Sequence, residues 1–167
     1  MEKILEKISH YHLLNNLIPG MLFIYLLDML GIFSVEMNEV LKLLFLGYFA
    51  GMVISRVGSV VVEPLFQTCK IVNYAPYPDY LKAEQTDKKL SALLADNNVY
   101  RTMTAMFLLL IVLYIGHMIP KVDAFMHTDW ATLLLLVCIL VLYVLAFRKQ
   151  TSYIRKRVKK ANNQLVE

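Results

Sequence analysis

Residues 40–62 read VLKLLFLGYFAGMVISRVGSVVV. This stretch carries two charges, Lys42 and Arg56, and no proline. A helix crosses a hydrocarbon core with about 20 apolar residues. Backbone N–H and C=O groups find no water there, so they must pair inside the segment, and a helix does that. The stretch therefore reads as a membrane span. Three others share its character, at about 17–33, 102–119 and 131–147. Ten-residue alternating segments, which a closed β-barrel would need, are missing. The expected fold class is all-α: an integral membrane four-helix bundle.

Composition agrees with that reading. The chain has 167 residues, 58% of them apolar, with 18% charged, and its mean hydropathy is +0.54. A soluble domain is nearer 45–50% apolar, and a short chain cannot hide such a surplus inside one globule. Disordered, collagen-like and disulfide-rich classes are excluded, with almost every soluble enzyme class. Fourteen of the seventeen bases lie at the N-terminus, in the 63–101 segment or in the tail, leaving Lys42, Arg56 and Lys121. The positive-inside rule then places both termini and that segment in the cytoplasm. Trp130 and Tyr100 stand where interfacial aromatics are expected. Glu2 and Glu6, with no small-residue cleavage site, argue against a signal peptide, so the first apolar run should remain a span. Cys69 and Cys138 fall at different depths and read as reduced thiols.

Between the spans, residues 2–12 place Ile4, Leu5, Ile8 and Tyr11 on one face, an amphipathic helix lying along the interface. Pro19 is read as the start of the crossing part of span one. In the helical cytoplasmic segment 63–101, Asp79 is expected to cap a helix carrying Leu81, Leu90, Leu93 and Leu94. That helix should break at Thr86-Asp87 and end at Asp96-Asn97-Asn98. The organisation expected is a transmembrane domain over 1–147 and a basic tail over 148–167.

Several residues stand out as candidates. Gly47, Gly51, Ser55 and Ser59 recur every four residues, a small ridge that lets helix backbones approach. The ridge serves either intrachain packing or a subunit interface. Arg56 can join Glu63 and Arg101 in a buried polar cluster or snorkel to headgroups. Asp28 either lines a pore or ends its span early among headgroups. His10 and His12 are two apart and cannot share a helix face. His117 and His127, with Asp123 and Asp129, flank the outer loop. The tail bases Arg148, Lys149, Arg155, Lys156, Arg157, Lys159 and Lys160 suit anionic lipid or a protein partner. Direct nucleic-acid binding is not expected. Zinc-protease, serine-hydrolase and phosphate-loop motifs are missing. The chain therefore reads as non-enzymatic, with no cofactor and no metal.

Three strings carry a resemblance: NNLIPG (15–20), ISRVGSVVVEP (54–64) and NNVYR (97–101). Together they resemble a family of small bacterial membrane proteins. The layout is similar to the four-span membrane subunit of Kiwa, a bacterial anti-phage defence system in which that subunit works with a cytoplasmic DNA-binding partner. The resemblance implies a homo-oligomeric inner-membrane sensor or scaffold that holds an effector at the inner face. It carries over no catalytic residue. The rival expectation is a pore or small transporter using Asp28 and the glycine face of span two.

Overall fold

Two prolines shape the backbone. Proline cannot donate a hydrogen bond, and its ring crowds the carbonyl four residues back, Asn15 for Pro19 and Val60 for Pro64. In the computed structural model a π turn, Leu13–Leu17, runs into helix α1, Ile18–Met29, just before the first proline. A second π turn, Gly58–Val62, joins helix α2, Val40–Val57, to helix α3, Glu63–Thr68, just before the second. The wider turn moves the crowded carbonyl aside without ending the helix, the usual use of a π bulge. The structure describes residues 13–34, 39–87, 89–126, 128, 130–131 and 134–148. The amphipathic segment 2–12 and the tail beyond Arg148 lie outside them.

Among the described residues all regular structure is helical. After α3 come α4, Tyr77–Thr86, α5, Lys89–His117, and α6, Pro120–Met126. An apolar helix α7, Leu134–Arg148, follows. The chain divides into two compact units, residues 1–124 and 125–167, and α7 belongs to the second. Among the described residues two helices are long and apolar enough to cross a membrane: the continuous Val40–Thr68 and Lys89–His117, 29 residues each. Helix α1 has 12 residues and stops at Met29, short of the 33 expected. Gly31, at φ 68, closes it, with Ile32 N–H donating to the Leu27 carbonyl and Ile32 buried behind.

Two expectations for the 63–101 segment need correction. Helix α4 begins at Tyr77, so Asp79 does not cap it through its side chain but stands in the first turn, where its charge suits the helix dipole. The break at Asp87 is present. The expected stop at Asp96-Asn97-Asn98 is not, and α5 runs through it. Asparagine costs a helix only about 0.7 kcal/mol. No proline or glycine enforces a stop, and the apolar run beyond carries the helix onward.

In the first unit α1 and α2 run antiparallel and meet backbone to backbone. A Cβ on Gly20 would collide with the Gly47 carbonyl and come within 2.6 Å of the Gly51 nitrogen. A Cβ on Gly51 would collide with the Asn16 carbonyl, and one on Gly47 with Met21. The small ridge is thus filled within the chain. Helix α5 packs against the next face, where Ile54, Val62, Ala105, Met106 and Leu110 form the buried core. Gly58 lies against Arg101 and Ala105, at 3.3–3.4 Å for an added Cβ. Only 22% of each spanning window is buried, so most of the apolar surface of α2 and α5 faces outward.

The contact geometry ranks the glycines. Gly51→Ala should destabilise by about 2–3 kcal/mol, because one backbone must retreat from another. Gly58→Ala, with neighbours that can shift by a few tenths of an ångström, should cost less than about 1 kcal/mol. Thermal melting of both variants in the same detergent checks the order.

Candidate functional site

The packing of α1 on α2 brings the first π turn to the end of the apolar run, where α5 also passes. Asn15, Asn16, Ser55 and Thr102 are all buried there, Thr102 completely. Asn15 Nδ2 donates to Ser55 Oγ at 3.1 Å and to Asn16 Oδ1 at 3.1 Å. The Thr102 hydroxyl has one proton and two acceptors at 2.9 Å, Asn15 Oδ1 and the Asn98 carbonyl, and shares it between them. All three amide contacts of Asn15 are therefore made, as a buried polar group requires. One side chain ties three segments together.

A charged layer lies further toward the same end. Arg101 Nη1 donates to Glu63 Oε2 at 2.6 Å, with the side chains 19% and 12% exposed. Side chains tilt toward a helix's N-terminus, so Arg101 leans away from the apolar run and toward Glu63. Its Nε is buried and lacks a hydrogen-bond partner among the described residues. Beyond the pair, Asn97 Nδ2 donates to the Tyr74 hydroxyl at 3.1 Å. The segment 69–76 follows a tight helix end. Lys70 takes a left-handed φ of 58 and Ile71 N–H returns to the Phe66 carbonyl at 2.9 Å. Between α3, this segment and α5 opens a cleft of about 160 Å³, with Glu63, Phe66, Val72, Tyr74 and Arg101 in its walls.

The sequence candidates separate on this frame. Glu63 and Arg101 meet, whereas Arg56 is exposed and outside the cluster. Gly47, Gly51 and Ser55 are buried in the α1–α2 contact, and Ser59 is half-buried. Asp28 is exposed one residue before the end of α1. His117 Nδ1 lies 2.8 Å from Asp123 Oδ1, both side chains about a third exposed. Arg148 is exposed at the end of α7. Lys149, Arg155, Lys156, Arg157, Lys159 and Lys160 lie outside the described residues, as do His10, His12, His127 and Asp129. Among the described residues no three of His, Cys, Asp or Glu gather as a metal site.

Sequence reasoning missed Asn15, Thr102, Tyr74 and Asn97 as site residues. A signal existed for the first, since adjacent asparagines inside an otherwise apolar run are costly without partners. The three strings quoted for the resemblance converge in space here: 15–20, 54–64 and 97–101 supply Asn15, Ser55, Glu63, Asn98 and Arg101. Compared with known protein families, curated proteins and solved structures, the chain has no match.

Asn15→Leu should leave Ser55 and Thr102 without their shared partner and cost about 2–3 kcal/mol, whereas Thr102→Val, which leaves Asn15 its other bonds, should cost about 1 kcal/mol. A double-mutant cycle on melting should return a coupling of at least about 0.5 kcal/mol.

Proposed function

We propose that the chain is a non-enzymatic, four-span protein of a bacterial inner membrane that self-associates and docks a cytoplasmic protein partner. The observation that carries this reading is the overrun of the two longest helices. Each has 29 residues, about 43 Å at 1.5 Å per residue, against a core of about 30 Å. From Gly58 back to Val40 the rise is about 27 Å, and from Arg101 to His117 about 24 Å. Each is close to one hydrocarbon thickness, so the Asn15–Ser55–Thr102 layer fits the inner boundary. The remainder, α3 and the first three turns of α5, then projects on the basic side. Glu63–Arg101 and Tyr74–Asn97 lock these projections together and make them a firm platform.

The low burial of the spanning windows supports the membrane assignment, because the core helix of a soluble domain is covered on most sides. The first and fourth spans rest on the apolar runs containing α1 and α7. Both termini and the 63–101 segment are cytoplasmic by the distribution of bases. The tail, Arg148 to Lys160, adds contact with anionic inner-leaflet lipid and with the partner. We extend this docking role to anti-phage defence on the similarity in layout to the Kiwa membrane subunit alone. The pore reading is less favoured, since α1 fills the glycine ridge that would line the path and Asp28 sits exposed in the last turn of α1.

Labelling of intact cells tests sidedness. With Cys138 replaced by serine, Cys69 should react with an impermeant maleimide only after permeabilisation, while a cysteine at Lys121 should react at once. The reverse pattern would overturn the orientation. Docking is tested by neutralising Lys156, Arg157, Lys159 and Lys160 together, which should weaken partner capture as added salt does, since exposed charges are screened beyond about 10 Å at 0.1 M. Asp28→Asn should leave capture unchanged. A bilayer conductance altered by Asp28→Asn, with capture indifferent to the tail, would favour the pore instead.

A further inference from the structure

The cleft beside Arg101 has the position and chemistry of a lipid site. It opens just beyond the Asn15–Ser55–Thr102 layer, which on the membrane reading above is the depth of the headgroups. Its walls are mainly apolar, from Val62, Phe66, Ile71 and Val72, with the polar groups Glu63, Tyr74, Asn97 and Arg101 among them. A volume of about 160 Å³ is well below the 300–1,000 Å³ that encloses a whole drug-sized ligand. It accepts a headgroup and leaves the rest of the molecule outside.

Two hydrogen-bond donors remain available in the lining. Glu63 takes Nη1 of Arg101, which leaves Nη2 of the guanidinium fork for a second acceptor. The Tyr74 hydroxyl accepts from Asn97 and so keeps its own proton to donate. Lys70, outside the lining but next in sequence to Ile71 of the wall, is exposed, and its long stem gives a positive charge the reach to approach the mouth of the cleft. These groups suit a phosphate with a net negative headgroup. The outer part of the lining continues as an apolar track. Tyr100 and Thr104 border the cleft, and Phe107, Leu108 and Ile111 lie three, four and seven residues past Thr104, on the same helix face. All three are exposed, at 48%, 37% and 55%. The track runs from the polar end toward the middle of the span, the course an acyl chain takes.

We infer that this cleft binds an anionic glycerophospholipid of the inner leaflet, its phosphate on Arg101 and Tyr74 and one acyl chain along the Thr104–Ile111 face of α5. Basic pockets on the cytoplasmic side of transmembrane helices commonly recognise lipid in this way. The bound lipid would brace α3 against α5 at the base of the docking platform, which makes the platform sensitive to membrane composition.

The test uses the full chain, purified in detergent, with melting temperature as readout and phosphatidylglycerol, phosphatidylcholine or glycerol phosphate as probes. Phosphatidylglycerol should raise the melting temperature saturably, with phosphatidylcholine needing at least about tenfold more, a difference of about 1.4 kcal/mol. Thr104→Trp, which fills the cleft but keeps every charge, should abolish the shift. Glu63→Gln with Arg101→Gln removes the ion pair without stranding a charge and should weaken phosphatidylglycerol about tenfold. Tyr74→Phe, the mildest change, should weaken it severalfold. Equal shifts from both lipids, a full shift in Thr104→Trp, or a shift reproduced by glycerol phosphate would overturn the inference. Carbonate extraction of native membranes is read separately: release of the chain would sink the membrane reading, while retention with no cleft-dependent shift would sink the lipid site alone.

Discussion

The close approach of α1 to α2 is the constraint on which the rest of the first unit depends. Gly20 faces Gly47 and Gly51, and Gly51 faces the Asn16 carbonyl, with no side chain between the backbones. In the membrane proposed above there would be no hydrophobic drive to press helices together, and van der Waals contact at such small residues would supply the attraction. The approach also sets the register. With Asn16 held on Gly51, Asn15 falls beside Ser55 one turn further along α2, and α5 then brings Thr102 to the remaining acceptor. A wider separation would break that amide–hydroxyl contact and leave buried polar atoms unpaired, a penalty of about 1–3 kcal/mol each. Glycine contact and polar link therefore reinforce one another.

The two π turns serve the same end. Each widens a helix just before a proline, and each lies beside the polar layers: the first holds Asn15 and Asn16, the second leads into Glu63. One extra residue in a turn rotates everything beyond it by about 100° around the helix axis. The rotation changes which side chains face α5, so Pro19 and Pro64 act on the site through the backbone alone. The helices continue unbroken through both positions, so Val40–Thr68 is one continuous helix.

The helical class and the main apolar runs were legible in the sequence because hydropathy and span length are local quantities. The small ridge at Gly47, Gly51 and Ser55 was legible as a packing surface, but its partner was not, since a four-residue spacing says nothing about what fills it. The Glu63–Arg101 pair was anticipated from residue type and depth. For Arg56 the sequence leaves the cluster and snorkelling both open, and the structure has it exposed and outside the pair, because seven-residue spacing to Glu63 assumes a regular α-helix and the π turn at 58–62 intervenes. Asn97 and Asn98 were read as a stop from propensity, and the long apolar run overrode so small a local cost. Tyr74 was hidden because its contact with Asn97 closes a loop of more than twenty residues, which no periodicity records.

The polar groups are also graded along the first unit. The innermost layer is neutral, made of amides and hydroxyls, whose burial a few hydrogen bonds can offset. The full charges of Glu63 and Arg101 stand further out, where desolvation is partial, and they are paired all the same. Lys70, Lys82 and Lys89 are exposed. Charge burial is far costlier than amide burial and falls as water is approached, so a chain threaded through a low-dielectric slab should be ordered in this sense and not the reverse. Arg56 fits the same order from the outside face. Exposed on α2 close to the neutral layer, it has a long stem along which a guanidinium can reach the interface. On the membrane reading proposed above, the gradient falls where the slab would end. On that reading the Glu63–Arg101 pair and the cleft beside it would stand in the zone where a group meets apolar chain and charged headgroup at once.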